Sequence, residues 1–126
     1  MQRLNEVLKK YKKRPFVWGE ADCCLFACDC VFTMTGIDPA AKFRGKYDSE
    51  LSAKKALAKL GGIEQTMDEL FPRVHFNFAK RCDLILYESE LGQTVGLVWS
   101  NGLLVMGPNG YVLVTDFEPI AVWSIL

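Results

Sequence analysis

The chain has 126 residues, of which 50% are hydrophobic and 12% aromatic, so it can form one domain with a substantial core. Its 15 basic residues balance its 15 acidic residues, which excludes a global field that would attract nucleic acid or anionic membranes. No apolar run approaches the roughly 18 residues of a membrane span, and residues 1–5 lack the apolar region of a signal peptide. We therefore expect a single soluble domain over residues 1–126, synthesised in a cytoplasm.

Two amphipathic or apolar helices are predicted in the first 36 residues. Residues 3–13 carry one apolar stripe at helical spacing, and Pro15 follows the end of this helix. The stripe consists of Leu4, Val7, Leu8 and Tyr11. Asp22 is a good N-cap for a second helix over residues 23–35, which Gly36 terminates. This second helix is almost wholly apolar and is therefore expected to be buried.

A third helix is predicted between a serine cap and a glycine pair. Ser49 begins it, it continues through Leu60, and Gly61-Gly62 ends it. The residues expected to face inward are Leu51, Ala53, Ala56, Leu57 and Leu60. A short helical turn is predicted over residues 64–71, before Pro72.

The pattern then changes from helical periodicity to short strands. Five strands are predicted over residues 83–87, 94–99, 103–106, 111–115 and 120–125. Asn101-Gly102 is a strong hairpin signal between the second and third strands. Helices followed by an antiparallel meander predict an α+β fold, with N-terminal helices packed on a sheet of about five strands.

Four of the five cysteines lie within eight residues. Cys23, Cys24, Cys28 and Cys30 could supply thiolates to zinc or an iron–sulfur cluster, with Cys82 as a fifth. Their spacing matches none of the usual C-x2-C patterns, and buried cysteine is ordinarily a small core residue. We therefore expect no metal and no cofactor, with the four clustered cysteines as the alternative ligand set.

Cys23 is the candidate nucleophile. As the first residue of a buried helix, it would lie near unpaired backbone N–H groups and the positive end of the helix dipole, which favour thiolate over thiol. A cysteine at a helix N-terminus that faces a sheet is the arrangement of papain-like hydrolases. Catalysis then requires an imidazole beside the cysteine and a third polar group that orients the imidazole.

Four motifs resemble the NlpC-type cell-wall cysteine peptidases. Residues 18–26 (Trp-Gly, two residues, then Asp-Cys-Cys-Leu-Phe) are similar to the family's Trp/Tyr-Gly and Asp-Cys-Ser-Gly-Phe motif. Residues 81–87 resemble its Gly-Asp-Leu-Val-Leu-Phe strand, and residues 94–98 its His-Val-Gly-Ile-Tyr strand. Residues 101–107 resemble its Asn-Gly-x-x-Ile-His-Ala hairpin. The four motifs occur in the family's order, which implies an NlpC-like, papain-type fold.

The chain departs from that family at both partners of the nucleophile. Thr94 stands where the family has its catalytic histidine, and Met106 where it has the orienting polar residue. A threonine hydroxyl cannot act as a general base near neutral pH. His75, the one histidine of the chain, precedes the strand pair, and we expect it to be partly exposed at an element edge, with a general-base role as the alternative. Asp22 is expected to cap the helix rather than to act in catalysis.

The chain is similar in particular to small phage-encoded relatives of this family that occur among tail genes. The resemblance implies a phage or prophage tail-assembly or tail-tip protein with a degenerate, non-catalytic peptidase-like domain. It places the protein in the virion tail after synthesis in the bacterial cytoplasm. The implied partners are other phage tail proteins and, as a second class, cell-wall peptide, with no nucleic acid and no membrane span. The alternative is an active cysteine hydrolase that cleaves peptidoglycan peptides with Cys23 as nucleophile; a general thiol or metal protein is a third, weaker hypothesis.

Two further expectations concern association. The apolar segment 120–126 is expected to pair within the domain's own sheet, with extension of the sheet toward a partner as the alternative. Residues 71–78, in which Val74, Phe76 and Phe78 alternate, are expected to contact other proteins.

Overall fold

The computed structural model describes residues 2–126, and helices precede strands in this part of the chain. The elements are α1 (Gln2–Tyr11), α2 (Cys23–Thr35), α3 (Glu50–Ala58), α4 (Gly62–Asp68), a 3-10 helix (Phe76–Phe78), β1 (Leu84–Ser89), β2 (Gly92–Trp99), β3 (Gly102–Gly107), β4 (Gly110–Val114) and β5 (Pro119–Trp123). The predicted α+β class and the predicted five strands are confirmed.

The five strands form one antiparallel sheet in the order β4-β3-β2-β1-β5. Adjacent strands in the chain are neighbours in the sheet, except that β5 returns to pair with β1. The last segment therefore pairs within the domain's own sheet, as predicted, although the strand ends at Trp123 rather than at residue 125. Trp123 itself is completely buried and anchors this return.

The helices cover one face of the sheet. Tyr11 of α1 packs edge-on against Phe26 of α2 at 5.0 Å, and both side chains belong to the core between helices and sheet. The sheet residues in this core are Leu84, Leu86, Val95, Leu97, Leu104, Met106, Ala121 and Trp123. The opposite face holds a smaller apolar cluster of Ile85, Tyr87, Leu103, Val105 and Val122. The central strands β1, β2 and β3 thus alternate between two packed faces, as the period of 2 requires.

The predicted bounds of α2 are those of the structure. The Asp22 side chain accepts a hydrogen bond from the Leu25 backbone N–H, and Gly36 adopts the left-handed conformation (φ 79°) at the C-terminus. The apolar stripe of α1 is also confirmed, since Leu4, Leu8 and Tyr11 are buried.

One predicted core position of α3 is wrong. Leu51 is 65% exposed, whereas Ala53 is buried and Leu57 and Leu60 pack beside it. Successive helical residues are separated by about 100°, so Leu51 lies about 200° from Ala53 and faces solvent.

The segment before β1 does not form an alternating strand. Val74 packs against the sheet face opposite the helices, whereas Phe76 and Phe78 lie on a 3-10 turn and are 45% and 76% exposed. The backbone N–H of Val74 donates to the Val122 carbonyl, which fixes this segment along the outer side of β5. Of the helices described in residues 2–126, none is long and apolar enough to cross a membrane.

Candidate functional site: the cleft around Cys23

The N-terminus of α2 is held by one buried carboxyl group. Asp22 is fully buried, and its Oδ1 accepts from the Leu25 N–H at 2.9 Å. Its Oδ2 accepts from the Gly19 N–H at 3.0 Å and from the Tyr47 hydroxyl at 2.5 Å. Asp22 therefore joins the entry loop, the helix start and the loop before α3, and it fixes the position of the next residue, Cys23. The predicted capping role of Asp22 is confirmed.

Only glycine fits at residue 19, because the backbone there lies against the backbone at Tyr47. Its φ is +83°, and a Cβ placed there would lie 2.1 Å from the Tyr47 carbonyl oxygen. No side chain fits at that distance. The Trp18-Gly19 pair identified in the sequence thus has a physical cause: the loop at Gly19 must touch the backbone at Tyr47 for both to reach Asp22.

A cavity of about 320 Å³ opens beside the start of α2. Cys23 and Cys24 contribute to its wall, and an exposed ion pair between Glu50 and Lys54 (3.1 Å) lies along one side. Its apolar wall is formed by Trp18, Ala53, Leu57, Ala58, Ile63, Leu91 and Val95. A cavity of this kind suits an apolar group with few hydrogen-bonding demands.

A second cavity, of about 260 Å³, meets Cys23 from the side of the strands. Thr94 of β2 and Met106 of β3 line it together with Cys23, as the motif resemblance implied. The other lining residues are Tyr87, Ser89, Glu90, Leu91 and Val105. Cys23 therefore lies between two cavities, and its predicted neighbours Thr94 and Met106 are present. That these two residues replace the catalytic partners of the nucleophile stays a prediction.

Ser89 and Tyr87 are site residues that the sequence analysis missed. The Ser89 hydroxyl lies 2.7 Å from the Thr94 hydroxyl, which also contacts the Gly92 carbonyl at 3.2 Å. Tyr87 lies directly opposite Thr94 in the β1–β2 register. This hairpin turns at Glu90 and Leu91 and continues into β2 at Gly92, whose φ is +94°. The predicted strands ended at residue 87 and began at residue 94, so Ser89 was left outside the pairing.

The Cys23 thiol does not have the acidity that its helix position suggested. Burial, followed by the neighbouring Cys24 and Asp22, raises its pKa to about 12, although backbone hydrogen bonds at Cys24 and Cys23 act in the opposite direction. The expected preference for thiolate is therefore wrong. Loss of water around a 9%-exposed side chain outweighs the favourable helix terminus.

The other cysteines are also free thiols, and three of them have raised pKa values. The pKa of Cys24 is raised by its hydrogen bond with Cys28 and by burial, and burial raises those of Cys30 and Cys82. In residues 2–126, no group of three or more His, Cys, Asp or Glu side chains is placed to hold a metal ion. The four-cysteine alternative therefore has no geometric support.

His75 is not brought to the Cys23 site. It is exposed, and its Nδ1 accepts from the Asn77 N–H at 3.1 Å at the start of the 3-10 helix. Its neighbour Val74 packs on the sheet face opposite the helices, and His75 lines neither cavity beside Cys23. The expected exposed position at an element edge is confirmed.

A cysteine at the start of a helix, packed on a five-stranded antiparallel sheet, defines the class of fold. The chain is similar to the structure titled "Crystal structure of NlpC/p60 domain of peptidoglycan hydrolase SagA", with a TM-score of 0.60 and 20% identity over 98% of this chain and 97% of that one. The chain thus has an NlpC/p60-like fold, as the motif resemblance implied.

The particular family follows from a match along the whole chain. The family model described as "Domain of unknown function (DUF6950)" matches residues 1–125, and the chain belongs to this family. No curated protein matches the chain.

Proposed function

We propose that this protein is a non-catalytic NlpC/p60-like domain whose cleft binds rather than cleaves. One observation carries the proposal: Cys23 is buried, and the side chains beside it at the family's partner positions are Thr94 and Met106. The raised pKa of Cys23, caused first by burial, supports it. A cysteine nucleophile of the papain-like kind requires a neighbouring imidazole or a lowered pKa. The one histidine of the chain lines neither cavity beside Cys23, and the pKa of Cys23 is raised.

The chemistry at Thr94 supports the same conclusion. Its hydroxyl is 2% exposed and lies between the Ser89 hydroxyl and the Gly92 carbonyl, so it serves the β1–β2 turn. Methionine at residue 106 can neither orient an imidazole nor transfer a proton. Thr94 and Met106 thus occupy the positions of the catalytic histidine and its orienting residue with side chains that have only a structural role.

The test is an assay of peptidoglycan stem-peptide hydrolysis by the intact chain. We expect no measurable cleavage, because loss of a general base alone typically costs a factor of roughly 10² to 10⁴. Cys23→Ala and Cys24→Ala form a matched pair, since the two residues are adjacent but only Cys23 lines the cavity shared with Thr94. Cleavage that disappears in Cys23→Ala and persists in Cys24→Ala would reject the proposal.

That outcome would establish the second candidate function, an active cysteine hydrolase on peptidoglycan peptides. One observation favours this candidate: Cys23 contributes to the walls of both cavities, so a substrate held in either cavity would lie against this residue.

We further propose that the domain acts in the tail of a phage or prophage, as a tail-assembly or tail-tip component that contacts other tail proteins. The support is the motif resemblance together with one surface, the Phe76–Phe78 turn. Phe78 is 76% exposed, and Phe76 packs edge-on against Phe117 at 6.1 Å while remaining 45% exposed. Exposed aromatic side chains of this kind are typical of protein contact sites.

The test of the tail role is incorporation of the protein into purified tails. Replacing both Phe76 and Phe78 with serine is expected to reduce incorporation while the domain remains folded by circular dichroism. Leu51→Ser is the control, because Leu51 is an apolar residue on α3 whose 65% exposure lies between those of Phe76 and Phe78. If the double variant unfolds, the Phe76–Phe78 turn belongs to the core and is not a contact surface. If the variant folds and is incorporated as well as the unaltered chain, the turn is rejected as the contact surface.

A further inference from the structure

The two edges of the sheet are protected to different extents. Residues 72–74 run along the outer side of β5, with hydrogen bonds from the Val74 N–H to the Val122 carbonyl and from the Ser124 N–H to the Pro72 carbonyl. At the other edge, residues 12–16 cover only the start of β4, through the Phe16 N–H to the Pro108 carbonyl and a bridge between residues 15 and 109. Residues 111–114, here called the open edge, have no strand beside them in the described part of the chain.

The open edge has backbone groups available for pairing. A two-residue turn joins β3 to β4 and places Gly107 opposite Gly110. Such a turn is closed by a hydrogen-bonded pair, and bonded and non-bonded pairs then alternate along the strands. Val112 consequently bonds to β3, whereas Tyr111 and Leu113 direct their N–H and C=O groups away from the sheet. In residues 2–126, neither residue makes another backbone hydrogen bond.

The side chains of the open edge lack the usual protection against pairing. Natural edge strands commonly carry lysine, proline or a bulge, which discourage association. Residues 111–114 are Tyr-Val-Leu-Val, without charge or proline, and Val112 and Leu113 are 48% and 49% exposed. Tyr111 is held in place by stacking on Phe26, with ring centroids 5.8 Å apart.

We propose that the open edge pairs with the same edge of a second copy of this chain, antiparallel about a two-fold axis at Val112. In this register, Tyr111 of each copy lies opposite Leu113 of the other, and their outward backbone groups exchange hydrogen bonds. The two Val112 side chains face each other on one side of the joined sheet. On the other side, each Tyr111 contacts a Leu113.

Charge complementarity favours a second copy as the occupant. The start of β4 is flanked by exposed Lys12, Lys13 and Arg14, and its end is followed by exposed Asp116 and Glu118. Antiparallel pairing places the acidic end of each copy beside the basic segment of the other. The short open edge limits the contact, so the dimer belongs to the class of small, reversible interfaces below about 1,200 Å².

The experiment measures the mass of the purified chain by sedimentation velocity between about 10 μM and about 1 mM, a range that suits weak interfaces. We expect a concentration-dependent dimer. Leu113→Lys should give a monomer throughout, and the control Leu51→Lys, at another exposed leucine, should dimerise like the unaltered chain. Hydrogen exchange at the Tyr111 and Leu113 amides should slow at the higher concentrations.

A charge exchange tests the pairing without altering the strand. Asp116→Lys should weaken the dimer at low salt, and adding Lys12→Asp and Lys13→Asp should restore it. A chain that is monomeric at all concentrations would overturn the proposal and leave the edge to a foreign strand. A dimer that survives both Leu113→Lys and Asp116→Lys would overturn it by assigning the interface to another surface.

Discussion

Replacement of Asp22 is expected to have the largest effect on the stability of the site. Its carboxyl group is fully buried and accepts from three donors, namely the N–H groups of Gly19 and Leu25 and the Tyr47 hydroxyl. Asp22→Ala removes all three bonds, leaves two buried or half-buried N–H groups without this acceptor and creates a small void. The cap, the entry loop and the loop at Tyr47 lose their common contact together.

The expected cost follows from the separate contributions. A buried donor left without a partner costs about 1–3 kcal/mol, and loss of an N-cap costs about 0.5–2 kcal/mol. Because the loops can relax partly, we expect Asp22→Ala to lower the free energy of unfolding by about 3–5 kcal/mol. Tyr47→Phe removes one of the three bonds and should cost about 1–2 kcal/mol. Asp22→Asn keeps a capping oxygen and should cost less than Asp22→Ala.

The assay is urea unfolding followed by tryptophan fluorescence, with free energies compared at constant m-value. Asp22→Ala, Tyr47→Phe and their combination form a double-mutant cycle, in which the combined cost should be less than the sum by about 1 kcal/mol. Strict additivity would show that the hydrogen bond between Asp22 and Tyr47 contributes nothing. A cost below about 1 kcal/mol for Asp22→Ala would refute the assignment of Asp22 as the junction of the three segments.

Three further predictions test particular residues. Because the pKa of Cys23 is raised from 9.0 to about 12, its alkylation by iodoacetamide near pH 7 should be about 10³-fold slower than that of a free cysteine, and the rate should rise until about pH 12. The unfolded chain loses this proton at lower pH than the folded chain, so stability should fall as pH rises above 9. An alkylation rate that reaches a plateau below pH 8 would contradict the raised pKa. Gly19→Ala should cost at least about 3 kcal/mol because its Cβ would meet the Tyr47 carbonyl, whereas Gly45→Ala, also at positive φ but with open space around it, should cost about 1 kcal/mol by thermal unfolding. Trp123→Phe should cost about 1–3 kcal/mol in urea unfolding, since it removes buried surface and the hydrogen bond from the indole N–H; an unchanged midpoint would contradict its role as the anchor of β5.

The sequence by itself determined the local elements whose signals lie within a few residues. Asp22 and Gly36 bound α2 because an N-cap and a left-handed C-terminus act on their own helix turn. The hairpin between β2 and β3 was also predicted, although its two turn residues are Ser100 and Asn101 rather than Asn101 and Gly102. Asn tolerates the positive φ of 67° found at residue 101. The order of helices before strands, together with four short motifs, was sufficient to predict the NlpC-like fold.

Only the tertiary structure decided the properties that depend on what surrounds a residue. The position of Cys23 was predicted correctly and its acidity was not, because the helix terminus is a local effect whereas burial is set by packing of α2 on the sheet. Leu51 was assigned to the core because composition does not fix the rotation of a short helix about its axis. The sequence also could not predict the open edge. The order of the strands, and which segment lies beside each edge of the sheet, depend on contacts between residues distant in the chain.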